Sequence, residues 1–464
     1  MSWVEEEVQA VNFGDGRLVE RMKKLLLALG EKPSFSIPEA CSGWAETLSA
    51  YRFFANKKVT FEEILKSHYE STLERIRGQR VVLLPQDTTE LIHVVNKGAK
   101  GVGTLKNTEK TERFLHPVLA ITPDRVPLGV VSAQLWQRTD ESIRKERAKK
   151  PIEEKESFRW LEGYQTACDI QAQAPDTLII SISDREGDIY ELFVEMHEYS
   201  QSNRAAWIIR AAQDRLLKTE GEQQKLWQQL EVAPVLGTSE FTLAASGSRK
   251  ARQVQQTIRA IPVTLKPPAR ALKEGSLPSV TLNAVYAKEE NPPEGETAVE
   301  WLILSCLPIS SFDLVSLILE WYVARWEIEI YFRVLKQGCT IEKLQLVDEK
   351  NFAACLALYM IIAWRVLYVT MLGREYPSIN CEAVFSKEEW HALFIVTKQQ
   401  PPPNEVPSLA VMVLMLAGLG GFLGRKGDLQ PGTKSIWIGL QRLGDFVRAI
   451  SAYQTASAMR EVTL

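Results

Sequence analysis

Histidine and cysteine are scarce in this 464-residue sequence, with five and six residues respectively, and neither set clusters. Cys41, Cys168, Cys306, Cys339, Cys355 and Cys381 form no C-x-x-C pair. That argues against a zinc site or a disulfide framework and fits reduced thiols in a cytosolic compartment. His68, His93, His116, His197 and His391 are dispersed too, which leaves a histidine metal site or a Ser-His triad little support. Excess basic charge is also missing: 55 Lys+Arg stand against 58 Asp+Glu, a net charge of −3. Any nucleic-acid surface must therefore be local. There is no internal repeat and no low-complexity tract. The acidic stretch Met1 to Val11 has no basic region followed by an apolar one, so no signal peptide is expected. Long apolar runs are few. Leu409 to Gly424 is shorter than the roughly 20 residues a membrane span needs. Phe352 to Leu372 is long enough but carries Arg365 in its middle. Both read as buried core helices.

What is present is the composition of an ordinary globular protein, 45% hydrophobic and 24% charged, at a length that suggests about three domains. The first eighty residues read as helices: Arg17 to Leu29, Trp44 to Phe54, and a third from Thr60, where Thr60 and Glu63 have capping-box spacing. Arg17 and Arg21 share a helix face, with Arg52 on the next helix, a pattern equally compatible with DNA binding and with a plain helical cap. The period then changes. Val81 to Leu84 reads as a strand ending at Gln86-Asp87-Thr88-Thr89, and Val118 to Trp136 as two strands joined at Pro123-Asp124-Arg125. A helix over Ser157 to Gln173 and a strand over Thr177 to Ser183 follow. That strand ends at Asp184-Arg185-Glu186-Gly187-Asp188, ahead of a helix to Tyr199 and a strand over Ala206 to Ala211. The order implies a layered α/β domain with a mixed sheet. Phe241–Ala244, Gln256–Val263, Val280–Tyr286 and Trp301–Ser305 read as an all-β insertion, with a basic tip at Ser246 to Lys250. Beyond Gly373 the chain is helical again, and Gly418, Gly420 and Gly421 are expected to allow close helix approach.

The run from Tyr322 to Lys336 reads Y-x-x-R-x-x-x-E-x-x-x-x-x-x-K. As one regular helix it would set Tyr322, Arg325, Glu329 and Lys336 within an arc of roughly 60° along about 21 Å of axis. Trp326, Ile330, Tyr331 and Phe332 flank the row, so the charges are expected to line a groove. One acid among cations suits a phosphate-rich, metal-dependent site. On this segment alone a salt-bridged surface helix competes with that reading. Asp87 and Asp184 each end a strand, and neighbouring parallel strands would bring both carboxylates to one sheet edge. Three converging carboxylates repel one another unless cations intervene. Two Mg²⁺ ions about 4 Å apart would resolve the conflict and serve phosphodiester chemistry.

These pieces resemble the bacterial DDE transposases of the IS-four family, most closely its Tn-five-like members. The resemblance is carried by Gln86-Asp87-Thr88-Thr89, by Asp184-Arg185-Glu186 with Asp188-Ile189, and by the Tyr322/Arg325/Glu329/Lys336 signature. Gly14-Asp15 with Arg17, Ala50-Tyr51-Arg52-Phe53, Glu156-Ser157 with Trp160, Asn291-Pro292-Pro293, Trp301-Leu302 and Leu419-Gly420-Gly421-Phe422 extend it over nearly the whole chain. It implies a ribonuclease-H-like catalytic core over 79–372, a mixed sheet with flanking helices interrupted by an all-β insertion at about 212–308. It also implies a helical transposon-end recognition domain over 1–78 and a helical dimerisation domain over 373–464. The implied activity is cut-and-paste transposition of double-stranded DNA by a homodimer, through nicking, a hairpin intermediate and joining to target DNA. Carried over residue by residue, Asp87, Asp184 and Glu329 would hold two Mg²⁺ ions, with Mn²⁺ substituting. Tyr322, Arg325 and Lys336 would grip phosphates, with Arg333 and Arg210 as further DNA contacts. Trp301 would stack on a flipped base, and Arg17, Arg21 and Arg52 would serve end recognition. No membrane, no small-molecule cofactor and a cytoplasmic, nucleoid-associated location are implied. Three positions depart from the family: Ala212 replaces a lysine, Tyr190 a histidine, and Ser34 to Ile37 differs, which leaves the recognised end sequence open.

Plainer readings stand beside these. Asp87 could be an Asx turn residue and Asp184 a helix cap, with Asp188 or Glu186 as the ligand instead. Trp301 could be a core residue of an edge strand, and the basic stretch Lys97 to Arg113 a solvated loop or a phosphate contact. A catalytically silent DNA-binding regulator and another ribonuclease-H-like nuclease are the rival functions.

Overall fold

The computed structural model describes residues 3–41, 43–94, 110–138, 152–198, 204–219, 223–243, 251–269, 277–346 and 348–462. The chain begins with five helices, α1 (Trp3–Val8), α2 (Gly16–Glu31), α3 (Ile37–Ala40), α4 (Trp44–Phe54) and α5 (Phe61–Arg77). Their starts follow local side-chain chemistry. Asp15 caps α2 by accepting from the Arg17 amide at 3.0 Å, Ser36 and Glu39 form a capping box at α3, and Thr60 accepts from the Glu63 amide at 3.2 Å. Four strands follow, β1 (Val81–Pro85), β2 (Thr89–Val94), β3 (Lys110–Ile121) and β4 (Pro127–Trp136). Next come α6 (Phe158–Gln173), β5 (Leu178–Ser183), α7 (Tyr190–Glu198), β6 (Ala206–Arg210) and α8 (Leu226–Glu231). The sheet strands end with β7 (Val235–Leu243), β8 (Arg252–Leu265), β9 (Val280–Glu289) and β10 (Glu300–Ser305). The remaining helices are α9 (Phe312–Val323), α10 (Glu327–Arg333), α11 (Glu349–Glu375), α12 (Lys387–Lys398), α13 (Leu409–Leu419) and α14 (Thr433–Val462). A mixed sheet with flanking helices and helical terminal regions is consistent with a ribonuclease-H-like core.

The chain forms two compact units: a helix-rich one of Met1–Arg75, Thr88–Thr139 and Glu327–Leu464, and a sheet-rich one of Ile76–Asp87 and Asp140–Trp326. In the sheet-rich unit β1, β5 and β6 pair in parallel, and β10, β9, β8 and β7 continue from β6 in antiparallel order. The strands expected as an insertion therefore extend the same sheet, with β10 as an interior strand. Gly237 lets α9 approach β7, since a Cβ there would sit 2.4 Å from the Phe312 ring.

In the helix-rich unit β2, β3 and β4 form an antiparallel meander. α11 packs on β4, and the Trp364 indole donates to the Pro127 carbonyl at 2.8 Å. By length and composition α11 could cross a membrane, but 89% of its apolar window is buried inside the protein. Arg365 in its middle lies over the Trp3 ring at 4.5 Å and 3.8 Å from Glu389. Burial pulls its guanidinium below the usual arginine range. Glu7 of α1 is sealed against α5: the His68 Nδ1 and Glu7 Oε2 are 2.5 Å apart, and Arg75 Nη1 donates to Glu7 Oε1 at 2.9 Å. His68 Nε2 accepts from the Val130 amide at 3.0 Å, which assigns the proton to Nδ1. α13 and α14 approach closely at two glycines. A Cβ on Gly420 would lie 1.8 Å from the Ser435 carbonyl oxygen, and one on Gly439 would lie 2.1 Å from that of Leu416. Gly418 has open space instead, and Gly421 takes φ +91°.

Two sequence expectations are corrected. The start of β3, Lys110 to Arg113, is strand where a loop was expected. Arg113, assigned to a basic loop, is 1% exposed on β3 with its guanidinium over the Phe352 ring at 4.4 Å. Lys97, Lys100 and Lys106 of that stretch, and the tip Ser246 to Lys250, lie outside the described residues. The segment from Tyr322 to Lys336 is also not one regular helix. α9 gives way to a 3₁₀ turn over Ala324–Trp326, then α10, then a π turn over Val334–Gly338. The π turn is closed by the Cys339 amide donating to the Val334 carbonyl at 2.8 Å. Packing holds it, because a Cβ on Gly338 would sit 2.9 Å from the Trp437 ring. A single 60° arc therefore does not describe the four signature residues.

Candidate catalytic and nucleic-acid-binding sites

β1 and β5 are adjacent and parallel, with Pro85 level with Ile182. Asp87 follows Pro85 by two residues and Asp184 follows Ile182 by two, so both lie just past the carboxyl-terminal ends of adjacent parallel strands. Buried polar groups fix those ends. The Gln86 amide donates to the Ile182 carbonyl at 3.1 Å, and its side-chain nitrogen lies 3.3 Å from both Ser181 Oγ and Ser183 Oγ. α6 presses on Gln86 through Gly163, where a Cβ would fall 2.1 Å from the Gln86 Oε1. Gly187 does the same after β5, where a Cβ would fall 2.5 Å from that of Ser183. A side chain at either glycine would displace the strand ends that carry the acids.

Asp184 and Asp188, both after β5, separate by their partners. Asp184 Oδ1 accepts from the Glu186 amide at 2.8 Å and caps the 3₁₀ turn Arg185–Gly187. Asp188 is consumed internally. Its Oδ2 accepts from the amides of Ala212 and Gln213, both at 2.7 Å, and its Oδ1 pairs with the Arg215 guanidinium. With a fully buried side chain, Asp188 anchors the loop after β6, which leaves Asp184 as the better ligand candidate. Sequence reasoning could not separate the two, since the partners of Asp188 lie more than twenty residues away.

Arg325 Nη1 donates to Asp87 Oδ2 at 3.0 Å, with side chains 7% and 18% exposed. Its guanidinium also lies 5.2 Å from the centre of the half-exposed Trp326 ring. Tyr322, buried at the end of α9, lies close to the guanidinium groups of both Arg325 and Arg210. Burial pushes its phenol above the usual range despite those two cations. Arg210 ends β6 and donates through Nη2 to the Glu300 carbonyl at 3.0 Å. The sheet-rich unit thus gathers Asp87, Arg325, Tyr322 and Arg210, with Asp184 just past the end of the neighbouring strand. Trp301 is half-buried on β10, stacked on Phe241 with ring centroids 5.6 Å apart and planes at 17°. It is not on an edge strand.

Glu329, Arg333 and Lys336 belong to the helix-rich unit. Glu329 is half-buried on α10, Arg333 exposed at its end, and Lys336 half-buried in the π turn. Lys336 lies near Glu90, whose carboxyl is pushed up by burial and by its hydrogen bond to Glu112, against the pull of Lys336 and Arg138. Arg17 is 92% exposed at its side chain and pairs with Asp15 at 3.0 Å. Arg17 and Arg21 line a shallow groove of about 470 Å³ with Lys24 and Glu20, and Arg52 is exposed at the end of α4.

Asp87 and Asp184 are hard oxygen donors at one edge, a set that fits Mg²⁺ or Mn²⁺. Among the described residues no group of three or more His, Cys, Asp and Glu side chains is gathered as a metal cage.

The terminal regions match known families. Residues 1–59 match the transposase DNA-binding family. Residues 361–459 match the transposase Tn5 dimerisation domain, which runs from within α11 into α14. The two matches, one at each end of the chain, support a DNA-binding, dimerising transposase. The particular kind they support is a Tn5-like one.

Proposed function

We propose that this chain is a cut-and-paste DNA transposase of the DDE type with the Tyr-Arg-Glu-Lys signature of the IS-four family, acting in the bacterial cytoplasm. The reading is carried by Asp87 and Asp184, just past the ends of adjacent parallel strands, with Asp87 paired to Arg325. Residues 1–78 would recognise transposon ends, 79–372 would cut and join, and 373–464 would pair two copies.

Asp87, Asp184 and Glu329 would hold two Mg²⁺ or Mn²⁺ ions, which would supply an activated water or 3′-hydroxyl and stabilise the leaving oxygen of the phosphodiester. The chain's own side chains would do the rest. Arg325 and Arg210, both close to Tyr322, would meet DNA phosphates with their planar guanidinium forks. Lys336 and Arg333 would add phosphate contacts from the helix-rich unit. Trp301, braced from one side by Phe241, has the planar face a displaced base would need. Arg17, Arg21 and Arg52 would bind the end duplex.

The test is cleavage and joining of a duplex carrying the inverted repeats that flank the gene. Glu329→Gln should abolish Mg²⁺-dependent nicking and strand joining while end binding persists. Full activity in that variant would refute the catalytic assignment. Nicks without joined product in the unmodified protein would favour another nuclease of the same fold.

A further inference from the structure

We propose that Arg325 competes with a divalent cation for Asp87, and that a DNA phosphate tightens cation binding by drawing Arg325 away. The inference rests on the metal-dependent reading above and goes beyond it, because it gives one side chain two successive partners. Arg325 Nη1 lies 3.0 Å from Asp87 Oδ2, so the guanidinium occupies a lone-pair direction that a cation on the same oxygen would need. A divalent ion there would also face the positive charge of Arg325 at close range.

The surroundings provide for exchange. Asp87 keeps 18% of its side chain exposed. Tyr322 lies close to both Arg325 and Arg210, so the phenol gives Arg325 a neutral polar neighbour when it leaves Asp87. The half-exposed indole of Trp326 offers the guanidinium a second surface. The pair Asp188–Arg215 in the same unit shows what a permanent bond looks like: its carboxylate is fully buried and also accepts two backbone amides. If cation and phosphate each relieve the same ion pair, each raises the affinity of the other by the same factor.

The experiment is a calorimetric Mn²⁺ titration of the full-length chain, with and without duplex DNA. In the absence of DNA, Arg325→Gln should bind Mn²⁺ about tenfold more tightly than the unmodified protein. Adding DNA should tighten Mn²⁺ binding to the unmodified protein but not to Arg325→Gln. A merely structural arginine would instead weaken the site on removal. Equal or weaker Mn²⁺ binding by a folded Arg325→Gln would overturn the inference and leave the metal reading intact. Absence of Mn²⁺ binding in both proteins, with or without DNA, would overturn both. Arg325→Lys, which keeps the charge without the planar fork, covers the case in which the glutamine variant does not fold. It should show a smaller gain, and no gain there would also overturn the inference.

Discussion

Two aspartate–arginine pairs in the sheet-rich unit have the same chemistry and opposite construction. Asp188 and Arg215 are sealed. Both carboxylate oxygens are engaged, and Arg215 also donates to the Asp188 carbonyl at 2.8 Å. Asp87 and Arg325 meet at a sheet edge, and Asp87 keeps part of its side chain in reach of solvent. A buried carboxylate with every lone pair matched can only hold structure, because disturbing it exposes unsatisfied groups on both sides. A partly solvent-exposed carboxylate can change partners at lower cost. The sealed pattern recurs in the helix-rich unit, where Glu7 is enclosed by His68 and Arg75.

Breaking each pair should therefore damage different properties. Asp188→Ala should cost about 3–5 kcal/mol of stability, the range for stranding one partner of a buried ion pair, as read from urea denaturation. Asp184→Asn should leave that midpoint nearly unchanged and reduce Mg²⁺-dependent nicking by on the order of 10²–10³-fold. If Asp188→Ala left stability intact, or Asp184→Asn unfolded the protein, the contrast would be wrong.

Acid provides a milder probe of the sealed Glu7 network. Burial pushes the Glu7 carboxyl up, but His68 and Arg75 outweigh it and hold it below its ordinary value of 4.5. The unfolded chain therefore takes up the proton first. The Glu7 contribution is fully present above about pH 4.5 and is lost as pH falls through the lower folded value. Denaturation midpoints measured from pH 6 to pH 3 should fall more steeply in the unmodified protein than in Glu7→Gln.

The smallest effect separates exposed from buried arginine. Arg17→Ala should reduce the slope of log affinity against log salt for end DNA by about one. Arg113→Ala should leave that slope unchanged and lower stability, since its side chain is packed over Phe352.

Much of this was legible in the sequence. Apolar runs announced β1, β5 and β6, and the residues just after them announced the edge where Asp87 and Asp184 sit. The helix start at Thr60 was written in capping chemistry. β3 was harder, because Lys110 to Phe114 is charged and becomes strand by pairing with β2 and β4. The joining of β7 to β10 onto the core sheet is a matter of pairing with β6, which local pattern does not encode. The π turn at Val334–Gly338 comes with a close approach of Gly338 to Trp437, about a hundred residues away. The choice of Asp184 over Asp188 depends on Ala212, Gln213 and Arg215, again a tertiary fact.

Asp87 and Asp184, unlike the sealed Asp188 and Glu7, are proposed to bind divalent cations. The most direct measurement is a Mn²⁺ titration of Asp184→Asn beside the unmodified protein, both shown to be folded by circular dichroism. The account predicts saturable Mn²⁺ binding by the unmodified chain and its loss or severe weakening in Asp184→Asn. Unchanged Mn²⁺ binding in Asp184→Asn would contradict it.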